Sequence, residues 1–222
     1  MNKNSLMIKK LVGLATLTAL VIVLQLLSNN VQFGNISITL ALIPIAVGAI
    51  LYGPLAGLFL GMVMGGIVLT AESTQTWFMS VNPAATIILC LVKSGVAGLV
   101  SGLLFKLFAF IAKKQSSVNK KKALFAAGII VAALVVPFTN TAIFIVGGVM
   151  FFSVYYPNLE AAIAAVITTN FAIEFTISAV LSPALVTLIK VLTRQYNLGF
   201  ANDFSKFIEE DKEVELEEIV EA

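Results

Sequence analysis

The sequence predicts an all-α membrane protein with six transmembrane helices and both termini in the cytoplasm. Three observations lead to this prediction. First, 59% of the 222 residues are hydrophobic and 12% are charged, whereas an average soluble domain is about 25% charged. Second, the chain contains uncharged stretches of membrane-spanning length. Third, its basic residues cluster so that six spans place them all on one side.

Each predicted helix is bounded by a break in the apolar pattern. The uncharged stretch from Leu11 to Ala71 accommodates about three spans, since one span needs roughly 20 residues. Polar residues at 28–36 and a Gly–Pro turn at Tyr52-Gly53-Pro54 divide this stretch. Later breaks fall at 72–82, 113–122 and 156–158. The predicted helices cover residues 9–28, 37–52, 54–71, 83–112, 123–152 and 158–192.

The distribution of lysine and arginine predicts the orientation. Basic residues precede helix 1, flank the loop between helices 4 and 5, and end helix 6. The loops at 28–36, 72–82 and 153–157 contain none. The basic side is the cytoplasmic side, so we expect a multi-pass protein of the bacterial plasma membrane. Its membrane domain covers residues 1–195, and an acidic cytoplasmic tail covers residues 196–222.

The composition excludes several kinds of chemistry. The chain has no histidine and one cysteine, Cys90, so it has no imidazole base, no histidine metal site and no intrachain disulfide. A phosphate-binding G-x-x-x-x-G-K-[ST] motif is also absent from the sequence, so the chain cannot hydrolyse ATP through such a loop. We therefore expect a protein that is not an enzyme, with no catalytic residues, no metal site, no cofactor and no nucleic-acid partner.

Two charged residues lie inside predicted spans. Lys93 lies about ten residues into helix 4, roughly 15 Å deep at about 1.5 Å per residue, and Glu174 lies deeper in helix 6. Such charges are costly in a membrane unless they are paired or solvated. Polar side chains recur on the same helix faces, including Asn82 in helix 4 and Asn170 in helix 6.

Further polar groups at comparable depth predict a binding pocket in the outer half of the membrane. Helix 5 contributes Thr139 and Asn140, just after Pro137, and the outer loop contributes Gln75 and Trp77. The candidate substrate-binding residues are Lys93, Asn140, Asn170, Glu174, Thr139, Asn82, Gln75 and Trp77. The alternative is a buried Lys93–Glu174 ion pair without a ligand, although the depths of the two residues differ by roughly 9 Å along the helices.

Small residues recur at helical spacing in three helices. Helix 3 contains Gly53, Gly57, Gly61 and Gly65, and helix 4 contains Gly95, Gly98 and Gly102. Such stripes let helices approach closely, so we expect helices 3 and 4 to pack closely within the chain. Helix 1 contains Gly13, Ala15 and Ala19, for which docking on a partner is the stronger interpretation.

Two segments resemble the substrate-binding (S) components of energy-coupling factor (ECF) vitamin transporters. Residues 14–20, Leu-Ala-Thr-Leu-Thr-Ala-Leu, resemble their A-x-x-x-A motif, and residues 43–57 are also similar to these proteins. The resemblance covers most of residues 8–195. It implies that Ala15 and Ala19 dock on a transmembrane coupling protein, and that two cytoplasmic ATPase subunits use the ATP. It also implies that the chain binds a vitamin.

The charged and polar candidates indicate which vitamin to expect. A desolvated ammonium such as that of Lys93 favours an anion, and amides with hydroxyls suit pantothenate, which has one carboxylate, one amide and two hydroxyls. The overall sequence also looks most like the pantothenate type. Riboflavin, folate or cobalamin are alternatives within the same family. An ion-coupled secondary transporter that uses Lys93 and Glu174 is the alternative outside it, although the chain shows no convincing internal repeat.

Overall fold

The computed structural model describes residues 3–30, 32–33, 36–37, 39–166 and 171–196. Within these residues the chain is almost entirely helical, with one hairpin of two-residue strands. The elements are α1 (Lys3–Asn30), β1 (Gln32–Phe33), β2 (Ile36–Ser37), α2 (Leu42–Tyr52), α3 (Pro54–Val68), α4 (Pro83–Lys113), α5 (Val118–Phe151), α6 (Leu159–Val166) and α7 (Ala172–Tyr196). A wide helical turn of the π type, Thr74–Met79, lies between α3 and α4.

Four helices in the described part of the chain are long and apolar enough to cross a bilayer. They are Met7–Asn29, Pro83–Lys113, Val118–Phe151 and Ala172–Leu192. The apolar helices α2 and α3 are shorter. At about 1.5 Å per residue, α2 is roughly 17 Å long, less than the ~30 Å hydrocarbon core. The all-α membrane class is confirmed, whereas the six-span count and the cytoplasmic termini remain predictions.

The structure moves some predicted boundaries. Helix 2 begins at Leu42 instead of residue 37, because Ile36 and Ser37 pair antiparallel with Phe33 and Gln32. The predicted helix 6 is described as two helices, α6 and α7, and residues 167–170 between them lie outside the described residues. The acidic tail beyond residue 196 also lies outside them, so its prediction stays untested.

Helices 3 and 4 pack closely within the chain, as predicted, and the structure shows that they pack on each other. A Cβ atom at Gly57, Gly61 or Gly65 would collide with backbone atoms of α4, at Gly98, Ser94 and Cys90 respectively. The two helices are therefore in backbone contact along this stripe, which only glycine permits. Gly53 has a different role, since its φ of 98° lies in the left-handed region that favours glycine and makes the turn between α2 and α3.

The largest apolar core cluster lies between α2 and the long helices α4, α5 and α7. Its fully buried members include Ile45 and Ile50 of α2, Phe105 of α4, Ile129 of α5 and Ile189 of α7. This packing fills the part of the bundle that includes the basic ends of α4 and α7. The polar residues described next lie towards the other end.

Candidate functional site

A cavity of about 290 Å³ opens among the helices at the end of the bundle whose loops carry no lysine or arginine. Side chains from α1, α3, α4, α5, α6 and α7 contribute to its wall. The polar and charged residues that line it are Gln25, Asn29, Thr39, Ser73, Thr74, Lys93, Asn140, Thr141, Tyr156 and Glu174. Lys93, Glu174 and several other polar groups of the bundle thus surround one space. This arrangement lowers the free-energy cost of placing such groups inside a bilayer.

Lys93 supplies the positive charge of this cavity. Its Nζ atom lies 5.1 Å from the centroid of the Phe144 ring, within the distance at which an aromatic face attracts a cation. Lys93 and Glu174 both line the cavity and interact electrostatically. Within the described residues, however, they form no direct ion pair. The ammonium therefore has an aromatic neighbour and remains available to an anion.

Glu174 supplies the negative charge and is held from the segment that precedes α2. Its side chain is 5% exposed, and Thr39 donates hydrogen bonds to it from both its hydroxyl and its backbone amide. The link joins the end of the β1–β2 hairpin to α7 and fixes the carboxylate at the cavity wall.

Asn140 lies where α4 and α5 meet. Its Oδ1 atom accepts a hydrogen bond of 3.3 Å from the buried Ser94 hydroxyl. No hydrogen bond of its Nδ2 atom is found among the described residues, so two N–H donors are left for a ligand. Thr141, the next residue, also lines the cavity.

Gln25 and Asn29 of α1 are cavity residues that the sequence analysis missed. Gln25 donates from Nε2 to Oδ1 of Asn29 at 2.9 Å. Asn29 in turn donates from Nδ2 to the carbonyl of Ile67 at 3.1 Å. The signal was present in the sequence, because amide residues four apart near the end of an otherwise apolar helix lie on one face.

The structure brings only some of the predicted residues together. Of the eight candidates, Lys93, Asn140 and Glu174 line the cavity, and Asn170 lies outside the described residues. The described cavity wall does not include Thr139, Asn82, Gln75 or Trp77. The side chain of Asn82 accepts from the backbone N–H of Ala85 and caps α4, and Gln75 donates to the carbonyl of Leu69.

Aromatic residues join the two loops beside the cavity, one before α4 and one after α5. Trp77, which is 56% exposed, contacts Tyr155 edge to face at 5.6 Å, and Phe78 contacts Phe152 at 5.0 Å. Tyr156 packs on Phe144, the same ring that Lys93 approaches. Burial raises the pKa of the Tyr156 phenol, so it stays a neutral hydroxyl. These contacts tie the Thr74–Met79 turn to the loop that follows α5.

A family comparison identifies the kind of membrane protein that carries this cavity. The model of the substrate-specific component of ECF transporters matches residues 9–186. The chain belongs to this family. No curated protein and no solved structure matches it. Members of the family are transporter subunits, not enzymes.

The predicted docking residues of this ECF component lie on the outside of α1. Ala15 and Ala19 are both exposed, beside the exposed apolar residues Leu11, Val12 and Leu20. Gly13 faces inwards instead, since a Cβ atom there would collide with the Tyr52 hydroxyl. The small-residue stripe of helix 1 thus separates into one internal glycine and two outward alanines.

Proposed function

We propose that this ECF substrate-specific component binds pantothenate in the cavity and delivers it to an ECF module. The module consists of a transmembrane coupling protein and two cytoplasmic ATPase subunits, which use the ATP, and the chain itself needs no cofactor. The observation that carries the proposal is the Lys93 ammonium. It faces a buried cavity beside Phe144, with no direct ion pair to Glu174 in the described residues. A carboxylate ligand satisfies this charge.

The polar groups of the cavity match the remaining groups of pantothenate. The free Nδ2 donors of Asn140 suit a carbonyl oxygen, and the Glu174 carboxylate suits a hydroxyl or an amide N–H. Lys93 is the one basic residue in the described cavity wall, so it balances one anionic group of the ligand. This combination favours a monoanion with several neutral polar groups.

The cavity size favours pantothenate over the other vitamins considered. Its volume of about 290 Å³ lies at the lower limit of the range of roughly 300–1,000 Å³ for small-molecule sites. Riboflavin, folate and cobalamin are all larger than pantothenate, and riboflavin is neutral, so it would leave Lys93 without an anion. A small anionic vitamin meets both the size and the charge of the site.

Titration of the purified chain with pantothenate, riboflavin, folate and cobalamin tests this assignment. We expect heat or fluorescence changes with pantothenate alone, and pantothenate in the extract of the denatured protein by mass spectrometry. Binding of riboflavin, folate or cobalamin instead of pantothenate would show that the substrate is another vitamin transported by this family.

The ion-coupled alternative rests on the presence of Lys93 and Glu174 in one cavity. Uptake measured in cells with and without the two ATPase subunits separates it from the proposal. We expect uptake to require the ATPases, since the chain would have no energy source of its own. Uptake that persists without them and follows the proton gradient would support the ion-coupled mechanism.

A further inference from the structure

A buried amide oxygen in the cavity wall has no hydrogen-bond partner. The side chain of Gln25 is 4% exposed, and it lines the cavity from α1. Its Oε1 atom is fully buried and makes no hydrogen bond to any described residue. Leaving a buried acceptor unpaired is costly, so this atom points to a partner that the described part of the chain does not provide.

The hydrogen bonds around Gln25 determine which atom of its side-chain amide has no hydrogen bond. The backbone carbonyl of Ile67 can only accept, so the Asn29 atom facing it is Nδ2. Oδ1 of Asn29 therefore faces Gln25 and accepts from Nε2. The remaining atom of Gln25 is Oε1, an acceptor. The relay from α3 through Asn29 thus fixes the polarity as well as the position of the group.

We propose that Gln25 is a specificity-determining residue that accepts a hydrogen bond from a donor group of the substrate. The proposal rests on the proposed function, since it takes this cavity as the substrate site. The donor is a hydroxyl or an amide N–H, and Asn29 is the positioning residue, because its bond to Nε2 holds the side-chain amide of Gln25 in place. Lys93 selects the anionic end of the substrate, and Gln25 selects a donor elsewhere on the same molecule.

This assignment narrows the class of substrate. An acceptor held in a fixed orientation rejects a carbonyl or carboxylate at the same position, because two acceptors repel. Monoanions that carry a hydroxyl or amide N–H away from the carboxylate are therefore bound, whereas dicarboxylates and simple fatty acids are rejected. A site built to bond a hydroxyl discriminates strongly against an analogue that lacks it, since the protein group is then left unpaired.

Binding of pantothenate analogues to the wild type and to Gln25→Met tests the proposal. Three analogues each remove one donor: two lack one hydroxyl, and the third has a methylated amide nitrogen. In the wild type we expect one analogue to bind about 10-fold more weakly than pantothenate. In Gln25→Met, pantothenate itself should weaken by a similar factor, and the difference between it and that analogue should disappear.

A matched control makes the same chemical change at the opposite end of the bundle. Gln115 lies between α4 and α5, outside the cavity wall, so Gln115→Met should leave all four affinities unchanged. If the wild type binds pantothenate and all three analogues equally well, the proposal is overturned. This comparison needs no variant, so it remains decisive if Gln25→Met does not fold. A folded Gln25→Met protein with wild-type discrimination would also overturn it.

Failure of the proposed function gives a different result. If the wild type does not bind pantothenate, the assignment to that vitamin fails, and the comparison is repeated with the molecule released from the denatured wild-type protein. Full retention of that molecule by Gln25→Met would then overturn the role of Gln25, and roughly 10-fold weaker retention would support it. If nothing binds and nothing is released, both proposals fail.

Discussion

The ammonium of Lys93 lies over the ring of Phe144, with Nζ 5.1 Å from the ring centroid. An aromatic face stabilises a cation without neutralising it. A carboxylate in the same position would cancel the charge and leave no preference for an anionic ligand. The pair therefore holds a positive charge inside the bundle, and in the proposed function this charge selects an anionic substrate.

Replacing Lys93 with methionine should weaken pantothenate binding roughly 10- to 150-fold. Methionine keeps much of the apolar stem but removes a charge-assisted hydrogen bond worth about 1.5–3 kcal/mol. Lys93→Arg should restore binding only in part, because a planar fork replaces a compact ammonium. Calorimetric titration measures both effects. Lys114→Met is the matched control, since Lys114 also lies over a phenylalanine ring, Phe110, at 4.7 Å, but outside the cavity.

Thermal unfolding of the same variants tests the ion-pair alternative. If Lys93 and Glu174 were a structural pair, either single change would cost about 3–5 kcal/mol of unfolding free energy, and the double change Lys93→Met with Glu174→Gln would restore it. We expect no such rescue. If a folded Lys93→Met protein bound pantothenate with full affinity, Lys93 would not be a binding residue.

The glycine contacts between α3 and α4 predict opposite outcomes for two nearby substitutions. Gly61→Val should destabilise the protein by about 1–3 kcal/mol, because a Cβ atom at Gly61 collides with the backbone of Ser94. Gly66→Ala should be neutral or stabilising by up to about 1 kcal/mol, since nothing lies within 4 Å of its added Cβ atom. Thermal unfolding in detergent measures both. Equal effects of the two changes would contradict the packing.

Much of the fold could be predicted from the sequence because bilayer chemistry dominates it. The lengths of the uncharged stretches predict the long helices, and the four-residue spacing of Gly57, Gly61 and Gly65 predicts close packing of α3 within the chain. The structure adds that its partner is α4. The hairpin at residues 32–37 was not predicted, because pairing of two-residue strands leaves no periodic signal. For the same reason, the predicted helix 2 began too early, at residue 37 instead of Leu42. The residues around Ile36 and Ser37 continue its apolar pattern into the hairpin.

The site was predictable only where a residue type was exceptional for its depth. Lys93 and Glu174 stood out as charges inside spans. Composition alone does not distinguish Thr139 from Thr141. Residues two apart on a helix point about 200° away from each other, and of these two only Thr141 lines the cavity. Asn82 showed the right spacing but caps α4, and a helix start competes for such residues. The hydrogen-bond relay through Asn29 depends on tertiary packing.

Bulky substitutions at the exposed alanines of α1 should separate transport from binding. Ala15→Trp or Ala19→Trp should abolish ATP-dependent uptake, because the large side chain prevents close helix approach by the coupling protein. Pantothenate binding to the isolated chain should persist, since both residues are exposed and outside the cavity wall. Leu103→Trp, on the exposed surface of α4, is the control and should retain uptake. Loss of binding together with uptake would show that the alanines pack internally.

Labelling of single cysteines in intact cells tests the predicted orientation. Gln75 and Ser117 are both exposed and lie in loops predicted to face opposite sides. In a background without Cys90, a membrane-impermeant thiol reagent should label Gln75→Cys but not Ser117→Cys. Permeabilised cells serve as the control, in which both should react. Labelling at position 117 in intact cells would overturn the topology.

The most direct test of the central claim is the titration of the purified wild-type chain with pantothenate and with pantothenol. Pantothenol replaces the carboxylate with a neutral alcohol and keeps the amide and both hydroxyls. If the cavity selects an anion through Lys93, pantothenate binds at least about 10-fold more tightly than pantothenol. Equal affinities, or no binding of pantothenate, would contradict the account.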